Sequence, residues 1–171
     1  MRILGIDPGY AIVGFGVLDY DGHRFEPIEY GAVLTEAGKP FPERLKAINE
    51  DIEFIFDKFI PDCMAVERLY FTSNQKTAID VAQARGVTVL SAAKRNIPVY
   101  EYTPLQVKMA VVGYGKAEKR QVMDLTRRIL HLEQIPKPDD AADALAIAIC
   151  HGHSCTGVRL QEAEKRATRT V

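Results

Sequence analysis

The sequence predicts an α/β fold in which helices flank a mixed five-stranded sheet. Three observations predict this class: extended runs open the chain, later apolar runs alternate with helical patterns, and the composition is that of a globular protein. The chain has 171 residues, of which 47% are hydrophobic and 26% charged, and this length suits one domain. We predict that the domain spans residues 1–153 and that residues 154–171 form a disordered polar tail.

The first third of the chain has the pattern of an antiparallel meander. Residues 2–7 are mostly apolar, and residues 12–18 alternate apolar side chains with small glycines. Asp21-Gly22 is a dipeptide typical of hairpin turns, and a third extended run continues to Ala32. These runs predict the first three strands of the sheet.

Two units of a helix followed by a strand are predicted next. Apolar residues over 42–59 recur every three or four positions, which indicates an amphipathic helix. Residues 63–66 form a brief apolar run that ends at Glu67, as a buried strand reached through a crossover helix does. A long helix over 73–94 and a strand over 97–102 repeat the arrangement. The strand over 63–66 is therefore expected to add to the sheet in parallel.

The last third of the chain is predicted to be helical. Thr103 and Gln106 have the spacing of a capping box, with proline at the first helical position, so a short helix begins there. A basic amphipathic helix follows over 117–130, and a final helix begins at Asp139.

The composition also excludes several classes of protein. No apolar run approaches the roughly 18 residues of a membrane helix, and the apolar start of the chain is too short for a signal peptide. We therefore expect a soluble, cytoplasmic protein with no membrane partner. The cysteines, Cys63, Cys150 and Cys155, are odd in number and form no Cys-x-x-Cys pattern, so neither a disulfide framework nor a zinc site is favoured.

The net charge of −1 hides an uneven distribution along the chain. Residues 94–130 carry eight basic and three acidic side chains, whereas residues 1–93 carry nine basic and 14 acidic ones. A basic segment between acidic segments is what a protein that contacts a polyanion would have. A solvated helix face explains the same charges, so this pattern alone leaves both interpretations open.

Acidic residues occur at three places where the surroundings are predicted to be apolar. Asp7 ends the first strand, Glu67 ends the fourth, and Asp140 and Asp143 share one face of the last helix. A turn, a strand end and a helix start are the ordinary explanations. If these carboxylates converge, their repulsion requires a cation, and an all-oxygen set favours Mg²⁺ or Mn²⁺ over Zn²⁺. Two such ions would activate water and hold both oxygens of a phosphodiester.

Six short motifs in this order carry a family resemblance. They are Gly5-Ile6-Asp7-Pro8-Gly9, Ala65-Val66-Glu67, Gln83-Ala84-Arg85-Gly86-Val87, Gln106-Val107-Lys108, Ala117-Glu118-Lys119 and Asp140-Ala141-Ala142-Asp143-Ala144. Together they resemble the RuvC family of bacterial Holliday-junction resolvases over about residues 2–153. The resemblance implies a ribonuclease H-like fold and a two-fold homodimer that makes Mg²⁺-dependent paired nicks in four-way DNA junctions, for DNA recombination and repair. It also implies the RuvA and RuvB branch-migration proteins as partners.

The same resemblance assigns roles to individual residues. The metal-binding carboxylates are Asp7, Glu67, Asp140 and Asp143, which would hold two Mg²⁺ ions, with Mn²⁺ as a substitute. Basic residues near the scissile DNA backbone are Lys108 and Lys119, which complete the predicted catalytic set. The predicted DNA-binding residues are Tyr70, Lys108, Lys116, Lys119 and Arg120. Tyr70 stands where the family tends to have an aromatic residue, and a base stacked on it would gain about 1 to 3 kcal/mol.

Other features of the sequence are not decided by this resemblance. Gly86 either interrupts the long helix or lets a second subunit approach it closely, and Arg85 either serves that interface or is exposed. His151 and His153 are more typical of a solvated chain end than of a pair of metal ligands.

Three alternative functions remain open at this point. A YqgF-type family shares the glycine-rich first strand and includes shorter, RNA-directed nucleases. An ATPase of the actin-like class would use the first-strand glycines for phosphate, but it needs two domain halves. A junction-binding dimer without catalysis would keep the carboxylates for structural reasons.

Overall fold

A computed structural model describes the backbone of residues 1–69 and 75–168 and the side chains of residues 1–69 and 78–155. The elements in chain order are β1 (Arg2–Asp7), β2 (Ile12–Tyr20), β3 (Phe25–Leu34), α1 (Phe41–Phe59), β4 (Cys63–Glu67), α2 (Gln75–Lys94), β5 (Val99–Tyr102), α3 (Pro104–Val112), α4 (Lys119–Ile129) and α5 (Asp139–Thr168). The predicted α/β class is confirmed.

The five strands form one mixed sheet in the order β3-β2-β1-β4-β5. β1 pairs antiparallel with β2, and β2 with β3, which is the predicted meander. On its other side β1 pairs parallel with β4, and β4 pairs parallel with β5. The crossover through α1 makes β4 parallel, because a strand reached through a helix returns in the same direction.

Helices cover both faces of the sheet. Ile48 and Ile52 of α1 pack with Leu4 of β1 in one core, and Ile147 of α5 packs with Ile3 of β1 in the other. β1 is therefore buried on both faces, which explains why its sequence is a continuous apolar run rather than an alternating one. Within the part of the chain that the structure describes, no helix is both long and apolar enough to cross a membrane.

Glycines in β1 and β2 let α5 approach the backbone of the sheet. A Cβ atom on Gly5 would lie 2.1 Å from the Ala144 carbonyl oxygen, and one on Gly14 would lie 2.0 Å from the Asp140 carbonyl oxygen. Neither position has space for a side chain. The start of α5 therefore rests directly on the two strands beside the end of β1.

The predicted helix start at Thr103 is present as a capping box. The Thr103 hydroxyl accepts from the Gln106 backbone N–H at 3.1 Å, and the Gln106 side chain accepts from the Thr103 N–H at 2.8 Å. Two backbone donors at the start of α3 are thus satisfied by side chains close in sequence. Signals of this local kind are the ones that a sequence shows most directly.

The structure differs from the predictions in several boundaries. β5 begins at Val99 rather than at residue 97, and α4 spans Lys119–Ile129 rather than 117–130. α2 continues through Gly86, since one internal glycine costs only about 1 kcal/mol in a packed helix. The backbone of α5 is helical as far as Thr168, where a disordered tail from residue 154 was predicted. This segment is rich in Ala, Glu, Lys and Arg, which favour helices.

Candidate active site

Asp7 and Glu67 lie at the ends of two neighbouring parallel strands. Asp7 is the last residue of β1 and Glu67 the last of β4, and the register pairs Ile6 with Val66 just before them. The carboxyl ends of parallel strands meet at one edge of a sheet, where functional side chains are commonly held. The two carboxylates thus leave the sheet at the same edge.

Asp140 and Asp143 reach this edge from the start of α5. Gly14 pairs with Asp7 across the sheet, and the backbone of Asp140 lies against Gly14. Asp143 follows one turn later on the same face of the helix. Asp139 differs from both, because its carboxylate pairs with Lys137 at 2.8 Å and belongs to the exterior.

The pKa values of the acids report the proximity of their charges. The pKa of Asp7 is raised from 3.8 to about 7, mainly by burial and then by the charges of Asp143, Glu67 and Asp140 in that order of importance. Burial is also the main reason that the pKa values of Glu67 and Asp143 are raised. Asp7 therefore lies in the field of three other acidic side chains, an arrangement that favours a bound cation.

Lys119 supplies positive charge within this group. As the first residue of α4, it places Nζ 2.8 Å from Oδ2 of Asp143, and this hydrogen bond raises the pKa of Lys119. Its charge lowers the pKa of Asp7, of Glu67 and of Asp143. The charge of Lys108 on α3 also lowers the pKa of Glu67. Both predicted catalytic lysines thus act electrostatically on the predicted metal-binding carboxylates.

The chemistry of the four carboxylates fits a hard divalent cation. All the donors are oxygen atoms, which Mg²⁺ and Mn²⁺ prefer. As the side chains stand in the described residues, no three acids, histidines or cysteines form a ready cage for an ion. Lys119 instead pairs with Oδ2 of Asp143, so a metal ion bound at that oxygen would have to displace the ammonium.

The remaining predicted DNA-binding residues have different outcomes. Lys116 lies three residues before Lys119, the first residue of α4, and Arg120 is the second residue of that helix. Both side chains are exposed. Tyr70 lies outside the described residues. The base stacking predicted for Tyr70 stays a prediction.

Sequence reasoning missed the surroundings of two polar residues. Arg85, which the sequence left between an interface and an exposed role, hydrogen-bonds to the Glu67 carbonyl oxygen at 3.4 Å and pairs with Glu101. His151 is buried, and Nδ1 lies 2.7 Å from the Tyr102 hydroxyl, so its interpretation as part of a solvated chain end is wrong. Burial lowers the pKa of His151 to about 4. Both contacts join residues far apart in sequence, where no local motif announces them.

This fold, with acidic residues gathered around the end of its central strand, defines a nuclease of the ribonuclease H-like class. A family model described as crossover junction endodeoxyribonuclease RuvC matches residues 3–151. The crossover junction endodeoxyribonuclease RuvC of Brevibacillus brevis is 52% identical over 97% of this chain and 100% of its own length. The corresponding Finegoldia magna protein is 54% identical over 88% of this chain and 92% of its own length.

Solved structures agree with these sequence matches. Thermus thermophilus RuvC in complex with a Holliday junction substrate superposes with a TM-score of 0.87 at 35% identity, covering 91% of this chain and 95% of that one. The yeast mitochondrial Holliday junction resolvase Ydc2 shares the fold, with a TM-score of 0.69 at 14% identity over 99% of this chain and 86% of that one. The chain belongs to the RuvC family of crossover junction endodeoxyribonucleases. The prediction of this family and of an endodeoxyribonuclease is confirmed, and a YqgF-type protein or an ATPase fragment is not supported.

Proposed function

We propose that this protein resolves Holliday junctions by paired, symmetric, Mg²⁺-dependent nicks in opposed DNA strands. The observation that carries the proposal is the position of Asp7, a buried carboxylate that feels the charges of Glu67, Asp140 and Asp143 beside the Lys119 ammonium. Such a cluster has little structural value, since burying like charges together costs free energy. The Thermus thermophilus relative bound to a junction substrate supports the choice of DNA substrate.

The proposed metal site uses all four carboxylates. Asp7 ends the central strand and would hold both ions, Glu67 would hold one of them, and Asp140 with Asp143 would hold the other. When bound, two Mg²⁺ ions activate a water molecule and stabilise the attacking and leaving oxygens of the phosphodiester. Mn²⁺ has the same preference for oxygen ligands and would substitute.

The lysines of the site would then act on the DNA. Lys119 pairs with Asp143 in this structure, and its ammonium would bind a phosphate oxygen of the DNA. Lys108 lies near Glu67 and would hold a second phosphate oxygen. Positive groups placed where charge develops stabilise the transition state. The proposed contact with the junction also includes Lys116 and Arg120, which would bind phosphates of the DNA backbone. Tyr70 would stack on a DNA base.

A homodimer would place two such sites on one junction. Ile79 and Leu90 of α2 are 54% and 58% exposed, and they lie three turns apart on one face of the helix. Gly86 lies between them on this face, and a Cβ atom there would meet no atom of the described residues within 4 Å. An apolar helix face with a glycine at its middle supports close contact with the same face of a second subunit. Two-fold symmetry then matches the two opposed strands of a junction.

The cellular setting proposed for this activity is the cytoplasm, with RuvA and RuvB as partners in branch migration. Membership of the family supports this assignment. Co-purification of this protein with RuvA and RuvB on a synthetic junction tests it, with a linear duplex as the control DNA. If RuvA and RuvB do not change the amount of this protein that is retained on the junction, the proposed partnership is contradicted.

The decisive experiment compares three substrates under two conditions. A synthetic four-way DNA junction, a linear DNA duplex and an RNA duplex are incubated with the protein in Mg²⁺ or in EDTA, and the products are resolved on a denaturing gel. We expect paired nicks only in the junction and only with metal. Binding without nicks would favour the junction-binding dimer without catalysis, and cleavage of the RNA would favour an RNA-directed nuclease. Sedimentation of the protein alone tests the dimer.

A further inference from the structure

A small ion-pair network connects α2 to the end of β4. The Arg85 side chain is only 18% exposed, and its Nη2 atom pairs with Oε1 of Glu101 on β5. Its Nε atom donates to the carbonyl oxygen of Glu67 at 3.4 Å. One guanidinium therefore bonds to the backbone of a predicted metal ligand and to a carboxylate on the neighbouring strand.

Arg68 completes the network from the other side. Its Nε atom lies 3.3 Å from Oε2 of Glu101, and its backbone N–H donates to the Tyr102 carbonyl oxygen at 2.8 Å. Glu101 thus accepts from two arginines with its two oxygens, and their hydrogen bonds hold the pKa of Glu101 below its ordinary value. The peptide that joins Glu67 to Arg68 is held through the carbonyl by Arg85 and through the N–H by β5.

The position of this peptide explains why it needs such support. The pairing of β4 with β1 ends at Ile6 and Val66, and its pairing with β5 ends at Glu67 and Tyr102, so Glu67 is the last residue of β4 in the sheet. A residue at a strand end moves more freely than one inside a ladder. Side-chain hydrogen bonds to such a backbone restrict its motion, as groups outside the ligand set do for metal ligands generally.

We propose that Arg85, braced by Glu101, is a positioning residue that holds Glu67 in place for metal binding. The inference rests on the proposed metal role of Glu67 and goes beyond it, because it makes the affinity of the site depend on a side chain of α2. Arg85 touches neither metal nor DNA in this proposal. Since α2 also carries the exposed face proposed for dimer contact, Arg85 connects that helix to the metal site.

Arg95 provides a matched control for this proposal. It follows α2 at the other end of the helix, and its guanidinium pairs with Asp57 at 2.8 Å and with Glu53. Its side chain is 27% exposed, close to the 18% of Arg85. The same arginine-to-lysine change is therefore available at two comparable ion pairs, of which only one contacts the metal site.

The test compares Arg85→Lys, Glu101→Gln and Arg95→Lys with the natural protein. The first readout is Mn²⁺ binding to the metal-free protein without DNA, followed by electron paramagnetic resonance, and the second is the Mg²⁺ concentration for half-maximal nicking of a junction. We expect Arg85→Lys to lower the affinity for Mn²⁺ about tenfold and to raise the Mg²⁺ concentration for half-maximal nicking by a similar factor. This is the scale typical of the loss of a residue that holds a metal ligand in place. Saturating Mg²⁺ should restore most of the nicking rate, and junction binding in EDTA should be unchanged.

Glu101→Gln keeps the shape of the side chain and should shift the metal dependence in the same direction by a smaller factor. Arg95→Lys should leave Mn²⁺ binding unchanged, with a loss of thermal stability similar to that of Arg85→Lys. Unchanged Mn²⁺ binding in Arg85→Lys, or an equal loss in Arg95→Lys, would overturn the proposal. A natural protein that binds Mn²⁺ but nicks no junction would instead overturn the proposed function, while the Mn²⁺ titration would still decide the role of Arg85.

Discussion

Replacing Asp7 with asparagine should make the metal-free protein more stable while abolishing cleavage. The pKa of Asp7 is about 7 in the folded protein, against 3.8 for an ordinary aspartate. At about 1.4 kcal/mol for each pH unit between them, ionised Asp7 costs the fold at most about 4 kcal/mol. An asparagine amide retains part of the burial cost, so we expect a gain of about 1 to 3 kcal/mol in the free energy of unfolding.

The pH dependence of this gain has a definite sign. Below pH 4 Asp7 is protonated in both the folded and the unfolded chain, so Asp7→Asn should raise the free energy of unfolding only slightly there. Between pH 4 and 7 only the unfolded chain releases the proton, so the natural protein loses stability as the pH rises. The advantage of Asp7→Asn therefore grows over this range and is complete above about pH 7.

Urea unfolding in EDTA at several pH values between 4 and 8 measures this difference, with Asp139→Asn as the matched control. Asp139 lies at the start of the same helix but pairs with Lys137, so its replacement should bring no gain. Saturating Mg²⁺ should narrow the difference, because bound metal compensates the charge of Asp7 in the natural protein. An Asp7→Asn variant that is less stable than the natural protein at pH 8 in EDTA would refute this account of the cluster.

Four further changes test other parts of the structure. Glu67→Gln should abolish nicking and retain junction binding in a gel-shift assay, because it removes a ligand charge and leaves the basic surface; nicking at the natural rate would contradict its role. Lys119→Ala should weaken junction binding and lower the slope of log affinity against log salt by about 1, measured by fluorescence anisotropy. Gly14→Ala should cost about 1 to 3 kcal/mol of stability in urea, since its Cβ would press on the Asp140 carbonyl; an unchanged midpoint would show that α5 moves freely. Thr103→Ala should cost about 1 kcal/mol by the same assay without changing nicking.

Local signals explain what the sequence predicted well about the fold. The continuous apolar run of β1 reflects a strand covered on both faces, and the capping box at Thr103 joins groups three residues apart. The register that sets Asp7 beside Glu67 has no such signal, because it depends on how β1 and β4 align after the crossover. The candidate site was predicted instead from the order of six motifs, which carries non-local information that single elements lack.

Contacts between distant residues account for what the sequence did not predict. The burial of His151 depends on Tyr102, 49 residues earlier in the chain, and histidines near a chain end give no sign of it. Arg85 and Glu101 are 16 residues apart on a helix and a strand, and only their packing makes them partners. The ion pair between Lys119 and Asp143 is likewise visible only in the folded chain.

The glycines packed against α5 affect how accurately the protein sets the distance between Asp7 and Asp140. Gly5 and Gly14 bring the main chain of two strands against the main chain of a helix, with no side chain between them to act as a compressible spacer. The distance between the backbones of Asp7 on the strand and Asp140 on the helix is then set by van der Waals contact between main-chain atoms. Rotamer changes elsewhere cannot alter this contact. Repacking of the outer helices should therefore be tolerated without changing the separation of these two carboxylates.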